Sequence, residues 1–158
     1  MPVRGGCEIV LASATDTDSV RKLWREYWDS FGLPSHFQNF SAEQESLPGA
    51  YAFPRGRLLL AVTEGEPAGT AAFRPLREDA CEAKRFYVRP QYRKQGFGRA
   101  LLEKLVEEAR AAGYQQMYGD TLKSMLSALE MYRQFGFTEV PPYSPDPSPG
   151  AVFLRLTL

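Results

Sequence analysis

Arg93-x-x-Gly96-x-Gly98 sits between an apolar run ending at Val88 and a leucine-rich stretch beginning at Ala100. Strand, basic turn and helix in that order make an anion site, because the first N–H groups of a helix have no internal partners. The helix dipole adds about half a positive charge at the same place. Gly96 and Gly98 remove side chains that would hold a phosphate away from the backbone, and Arg93, Lys94 and Arg99 supply mobile cations. The guest this chemistry suits is a diphosphate-bearing cofactor.

Two nucleotide readings can be tested on the letters. A P-loop needs Gly-x-x-x-x-Gly-Lys-Ser/Thr, a run the chain lacks. A dinucleotide fingerprint needs a third Gly or Ala where Leu101 stands, although Asp120 falls about where a ribose-binding acid would. A third reading leaves the turn purely structural, packing a strand on a helix.

The turn and the segment that precedes it, Val88-x-Pro90, resemble the acyl-CoA-binding motif of the Gcn5-related N-acetyltransferases, Gln/Arg-x-x-Gly-x-Gly/Ala. Ala128 to Phe137 is similar to the same superfamily's second motif, Ala-x-x-x-Tyr-x-x-x-Gly-Phe. The resemblance covers about residues 80–140. It implies an α/β fold: a central mixed, mostly antiparallel sheet of about seven strands with helices on both faces.

It also implies roles. Acetyl-CoA would be cosubstrate, held by Arg93, Lys94, Gln95, Gly96, Phe97, Gly98 and Arg99, with its pantetheine arm along Phe86, Tyr87 and Val88. The Val88 N–H would face the thioester carbonyl. Tyr132 matches the tyrosine that protonates the departing thiolate; phenol and thiol differ by only about 1.5 pKa units in water. Glu82 matches a glutamate that takes the amine proton. A carboxylate near pKa 4.3 is a weak base for an ammonium near 10, so desolvation or a water relay must help. Met125 departs from an asparagine found in many relatives, and Ser124 or Ser127 would substitute for its contact with the pantetheine amide.

The elements that must position these groups can be read in outline. Val20, Leu23, Trp24, Tyr27, Trp28 and Phe31 recur at helical spacing and predict a helix over 16–31, after a short strand at 7–12. Residues 32–57 hold a short helix near 42–46 within an aromatic loop. Leu58–Val62 is a strand covered on both faces, and a turn at 64–67 returns it as Ala68–Arg74. Ala80–Val88 follows, its broken alternation explained by a bulge near Lys84–Arg85, a feature the family carries. Helices at 98–112 and 124–135 alternate with strands at 115–119 and 151–158. Five prolines between 141 and 150 make a stiff loop.

The chain of 158 residues suits one domain over 1–158. With 44% hydrophobic and 13% aromatic residues it is not a disordered chain. Lys plus Arg equals Asp plus Glu at 19 each, which removes the global field that would draw nucleic acid or an anionic membrane. Cys7 and Cys81 form neither a metal spacing nor a disulfide framework, no metal is expected, and a reduced, cytoplasmic setting follows. The lone histidine, His36, has no acid or nucleophile at motif spacing and reads as surface or pocket wall, which argues against Cys81 as a nucleophile.

The function expected is acetyl transfer to the primary amine of a small or amino-acid-like acceptor, with protein N-termini or lysines second; the oligomeric state, a homodimer included, is left open. The acceptor pocket would draw on Trp28, His36, Phe37, Phe40, Tyr51, Phe53, Tyr143 and Asp146, with Arg55 for a substrate carboxylate. Two other classes stand beside it: a non-catalytic acyl-CoA-binding regulatory module, and a nucleotide-binding oxidoreductase domain.

Overall fold

The structure is a computed structural model and describes residues 6–30, 32, 40–144, 147 and 149–158. Its strands are β1 (Glu8–Leu11), β2 (Arg57–Thr63), β3 (Glu66–Arg77), β4 (Ala80–Val88), β5 (Gln116–Leu122), β6 (Thr138–Val140) and β7 (Ala151–Thr157). Its helices are α1 (Thr17–Asp29), α2 (Phe40–Glu45), α3 (Phe97–Ala111) and α4 (Leu126–Gln134). The strands form one open sheet in the order β1-β2-β3-β4-β5-β7-β6, antiparallel throughout except at β4/β5.

Apolar periodicity explains most of this. Leu101, Leu102, Leu105, Val106 and Ala109 form the stripe of α3 and are all buried against Leu59, Ala61, Phe73 and Cys81. Val20, Leu23, Trp24 and Trp28 of α1 cover the opposite face, over Leu58, Leu60 and Ala72. β2 is therefore clad on both faces, as its unbroken apolar run requires. Glu64 and Gly65 both take positive φ, 50° and 77°, giving the tight turn whose twist matches a hairpin.

The bulge in β4 is present. Thr70 pairs with Tyr87 and Ala72 with Lys84, so Ala71 alone faces Arg85 and Phe86. Arg85 takes φ 57°, an unusual backbone state for a side chain of its size. Departures from the predicted bounds occur at the ends. α4 starts at Leu126 because Met125, its N-cap, has no side-chain oxygen to cap an earlier turn. β6 is three residues long, too short to leave a periodic signal.

Candidate active site

β4 and β5 run parallel for only four pairs, from Ala80↔Gln116 to Ala83↔Gly119. Past Ala83 the strands diverge, and a cavity of about 80 Å³ opens in the fork. Phe86, Met125, Ala128, Tyr132, Phe137 and Leu154 line it on the α4 side. Tyr27 and Trp28 of α1 and the β4 residues Lys84 and Arg85 line the other, with Asp120 in the angle. The sheet is thus open to guests from both faces at one point.

At the mouth of the fork stands the basic turn. Gly96, φ 91°, is the N-cap of α3, and the first helical bond is Ala100 N–H to Gly96 O. The N–H groups of Gln95 to Arg99 find no acceptor among the described residues. Arg93, Lys94, Gln95, Gly96 and Arg99 are exposed around them, while the Phe97 ring is core. A Cβ on Gly98 would lie 3.8 Å from Phe86, Val88 and Met131, so any larger side chain grows into the fork. The Arg89 N–H donates to Ala68 O in β3, and successive amides alternate across a strand, so the Val88 N–H points to the open edge. Five unsatisfied amides beside an unpaired strand edge fit a diphosphate joined to an extended arm.

Tyr132 is almost fully buried, its ring edge-on to Phe86 at 6.1 Å and to Phe137 at 5.3 Å. Burial first, then the charges of Tyr27 and Asp120, push its phenol pKa well above the ordinary value. The hydroxyl is therefore a neutral donor across the physiological range. Tyr27 is pushed up to about 12, chiefly by burial.

Glu82 is 5% exposed and lies outside the cavity wall. Its Oε1 accepts from Nε of Arg74 at 3.2 Å and forms an ion pair with Nη2 at the same distance. The buried Tyr143 hydroxyl forms no well-aligned hydrogen bond, and burial together with the Glu82 charge raises its pKa. Ser124 and Ser127 are exposed at the start of α4; Met125 and Ala128 form the wall instead.

Behind the cavity lies a group that no sequence motif announces. Glu43 of α2 accepts from Arg74, from Arg85 at 2.5 Å, and from the Tyr51 hydroxyl at 3.2 Å. The Arg85 guanidinium sits 5.1–5.7 Å from the ring centres of Trp24, Trp28 and Phe40. These contacts hold the positive-φ residue of the bulge in place. Glu43 is a lone glutamate in a short helix, and nothing in its neighbours along the chain marks it out.

Several expected pocket residues are committed elsewhere. Arg55 donates to Glu78 O at 2.8 Å and stacks on Tyr114 at 4.4 Å, and it is not among the residues that line the cavity. Phe53 is exposed beneath Arg57, and Phe40 stacks on Trp28. His36, Phe37 and Asp146 lie outside the described residues. The Cys81 thiol is buried and its pKa pushed up to about 12 by that burial, the opposite of an activated nucleophile. Among the described residues no cluster of His, Cys, Asp and Glu gathers to hold a metal, and no helix is long and apolar enough to cross a membrane.

Residues 17–137 match the model of the acetyltransferase (GNAT) family. An uncharacterized N-acetyltransferase of Schizosaccharomyces pombe is 35% identical over 145 residues, covering 90% of this chain and 89% of the relative. A GNAT-family acetyltransferase from Staphylococcus aureus superposes with a TM-score of 0.81 at 19% identity, over 96% of this chain and 99% of that one. The PaiA N-acetyltransferase of Thermoplasma acidophilum, solved in complex with coenzyme A, gives 0.75 at 16% identity, over 97% and 99%.

Proposed function

The chain belongs to the acetyltransferase (GNAT) family and is an acyltransferase, and from that premise we propose that it moves an acetyl group from acetyl-CoA to the primary amine of a small, amino-acid-like acceptor. The observation that carries this reading is the fork at Ala83/Gly119, with unsatisfied amides at its mouth and a buried phenol in its wall. Acetyl-CoA supplies the activated thioester; the chain's own residues do the rest. The amides of Gln95 to Arg99 take the diphosphate, with Arg93, Lys94 and Arg99 around it. The open edge at Phe86–Val88 takes the pantetheine arm, and Ser124 and Ser127 stand at the rim on the same side.

The Val88 N–H is the donor for the carbonyl oxygen as it gains charge, a contact of the kind typically worth about 3 kcal/mol. Tyr132 gives the departing sulfur its proton. A phenol weakened as an acid by burial releases that proton only as the thiolate forms, so its contribution falls at the low end for general acids. If Glu82 accepts the amine proton, its grip on Arg74 means that the proton reaches it through water.

The α1 side of the cavity supports the choice of acceptor. Tyr27 and Trp28 offer flat apolar walls, Lys84 positive charge, and Asp120 negative charge. A molecule with an amine, a carboxylate and a compact apolar body matches all three. The experiment is a panel of α-amino acids, aliphatic amines and peptides with acetyl-CoA, read by release of free thiol. Turnover with free amino acids or small amines supports the reading. Turnover confined to peptides moves the acceptor to protein N-termini or lysines, and CoA binding without turnover makes the chain a regulatory acyl-CoA binder.

A further inference from the structure

Two carboxylates stand at the fork, and they differ in what already holds them. Glu82 accepts a hydrogen bond from Arg74, is ion-paired to it through the same oxygen, and lies outside the cavity wall. Asp120 follows directly on Gly119, the last β5 residue paired to β4, and lines the cavity. Its carboxylate makes no hydrogen bond or ion pair among the described residues. Alternation with Met117, which is packed in the α3/α4 core, turns Asp120 toward α1, the side of Tyr27 and Trp28. Its charge acts on groups from three elements and a loop: Tyr27 of α1, Lys84 of β4, Tyr132 of α4, and Tyr143 between β6 and β7.

We infer that Asp120, rather than Glu82, is the base that takes the proton from the acceptor amine. The inference rests on the acetyl-transfer reading above. A base must reach the proton it removes at about 2.6–3.2 Å, with a lone pair to spare. Asp120 stands in the wall of the cavity with its carboxylate unbonded among the described residues, whereas Glu82 lies outside that wall with one oxygen held by Arg74. The bonds balance simply. The amine nitrogen bonds to the acyl carbon as the carbon–sulfur bond breaks. Before that step the acceptor's ammonium gives one proton to an Asp120 carboxylate oxygen. As the new bond forms, the nitrogen's remaining surplus proton leaves to water, the sulfur takes the Tyr132 proton, and water returns a proton to Tyr132. Lys84, a cation opposite Asp120 whose pKa burial lowers, offsets the carboxylate's charge between turnovers. Glu82 then serves as a positioning residue, keeping Arg74 beside Glu43 and so keeping the Arg85 bulge in register.

The test uses the full chain, acetyl-CoA and two kinds of probe amine. Glycine and ethylamine are protonated at pH 7 and need a base; hydroxylamine is largely neutral there and does not. Asp120→Asn is expected to lose roughly 10²–10⁴-fold in kcat/KM with the protonated amines, and to keep hydroxylamine turnover within a few-fold. Its residual rate with the protonated amines should climb with pH toward the amine's own pKa, where hydroxide and free amine replace the lost base. Asp120→Glu should recover some of the loss. CoA affinity by calorimetry and the circular dichroism spectrum should match the parent, which separates loss of a base from loss of fold. Glu82→Gln should fall equally with both kinds of amine, because it disturbs a bulge rather than a proton.

Three results would overturn the inference. Asp120→Asn could stay within a factor of two of the parent. Its loss could extend equally to hydroxylamine, leaving it a cavity-shaping residue. Or the amine-selective loss could appear in Glu82→Gln instead. A parent that releases no thiol with any amine, hydroxylamine included, removes the acetyl-transfer reading itself, whatever the variants do.

Discussion

On the α3/α4 face of the sheet, Leu59, Ala61, Phe73, Leu101, Leu102, Leu105 and Met117 pack into one apolar cluster. On the α1/α2 face, the same sheet buries Glu82, Lys84 and Arg85, with the mostly covered side chains of Glu43 and Arg74 behind them. Burying charge costs desolvation that a leucine would not, and paired charges are weak contributors to stability. The apolar face therefore serves as frame: it sets α3 so that its N-terminal amides lie at the mouth of the fork. The charged face holds the bulge and brings charged residues to the other wall of the cavity. Apolar frame and charged wall lie on the two sides of one sheet.

The sharpest way to break that contrast is Glu43→Ala, which leaves Arg74 and Arg85 facing each other without their shared carboxylate. Removing one partner of a buried ion group typically costs about 3–5 kcal/mol. A loss at the upper end is expected by urea unfolding, together with a fall in turnover as the Arg85 bulge relaxes. Leu105→Ala on the other face should cost about 3 kcal/mol and leave turnover of the folded fraction near that of the parent. Equal losses of turnover in the two variants would erase the distinction between frame and chemistry.

Tyr132 belongs to the wall where the two faces meet. Tyr132→Phe keeps the ring against Phe86 and Phe137, so stability and CoA affinity should change little. A loss of about 10²-fold in kcat is expected with KM nearly constant. Because its pKa is raised, Tyr132 stays protonated through the physiological range. An alkaline fall in rate below pH 10 would have to come from another group. A variant within a factor of two of the parent, with chemistry rate-limiting, would remove the phenol from the mechanism.

The smallest effect concerns an ion pair on the frame side, Arg57 with Glu108 of α3 at 2.8 Å. Burial alone would raise the Glu108 carboxyl; hydrogen bonds from Arg57 and Lys104 outweigh it and hold the pKa below the ordinary value. A carboxylate depressed in the folded state contributes stability above its unfolded pKa and loses it as pH falls through the folded value. Unfolding followed downward from about pH 5 should therefore show a shallower acid decline in Glu108→Gln. An unchanged decline would mean that the pair contributes nothing to acid sensitivity.

Much of the frame was legible in the chain because periodicity is a local property. The α3 stripe, the doubly buried β2, the bounds of β4 and its bulge all follow from residues a few positions apart. The turn at Arg93–Arg99 was legible for the same reason: strand, glycines and helix are consecutive, so their order alone leaves the first amides of a helix open beside a strand end. Helix ends and β6 were less so, since caps and three-residue strands carry little periodic signal.

What only the tertiary structure decided is which charges meet. Glu43, Arg74 and Arg85 come from α2, β3 and β4, up to 42 positions apart, and no spacing rule joins them. In the sequence Glu82 matched a family base, and Asp120, just past a predicted strand, read only as the acid of a dinucleotide fingerprint. The fold separates them, because the pairing of β4 with β5 ends at Ala83 and Gly119, just after Glu82 and just before Asp120. A carboxylate's role depends on what fills its lone pairs and whether a cavity reaches it, and both are settled by packing between distant segments, not by its neighbours along the chain.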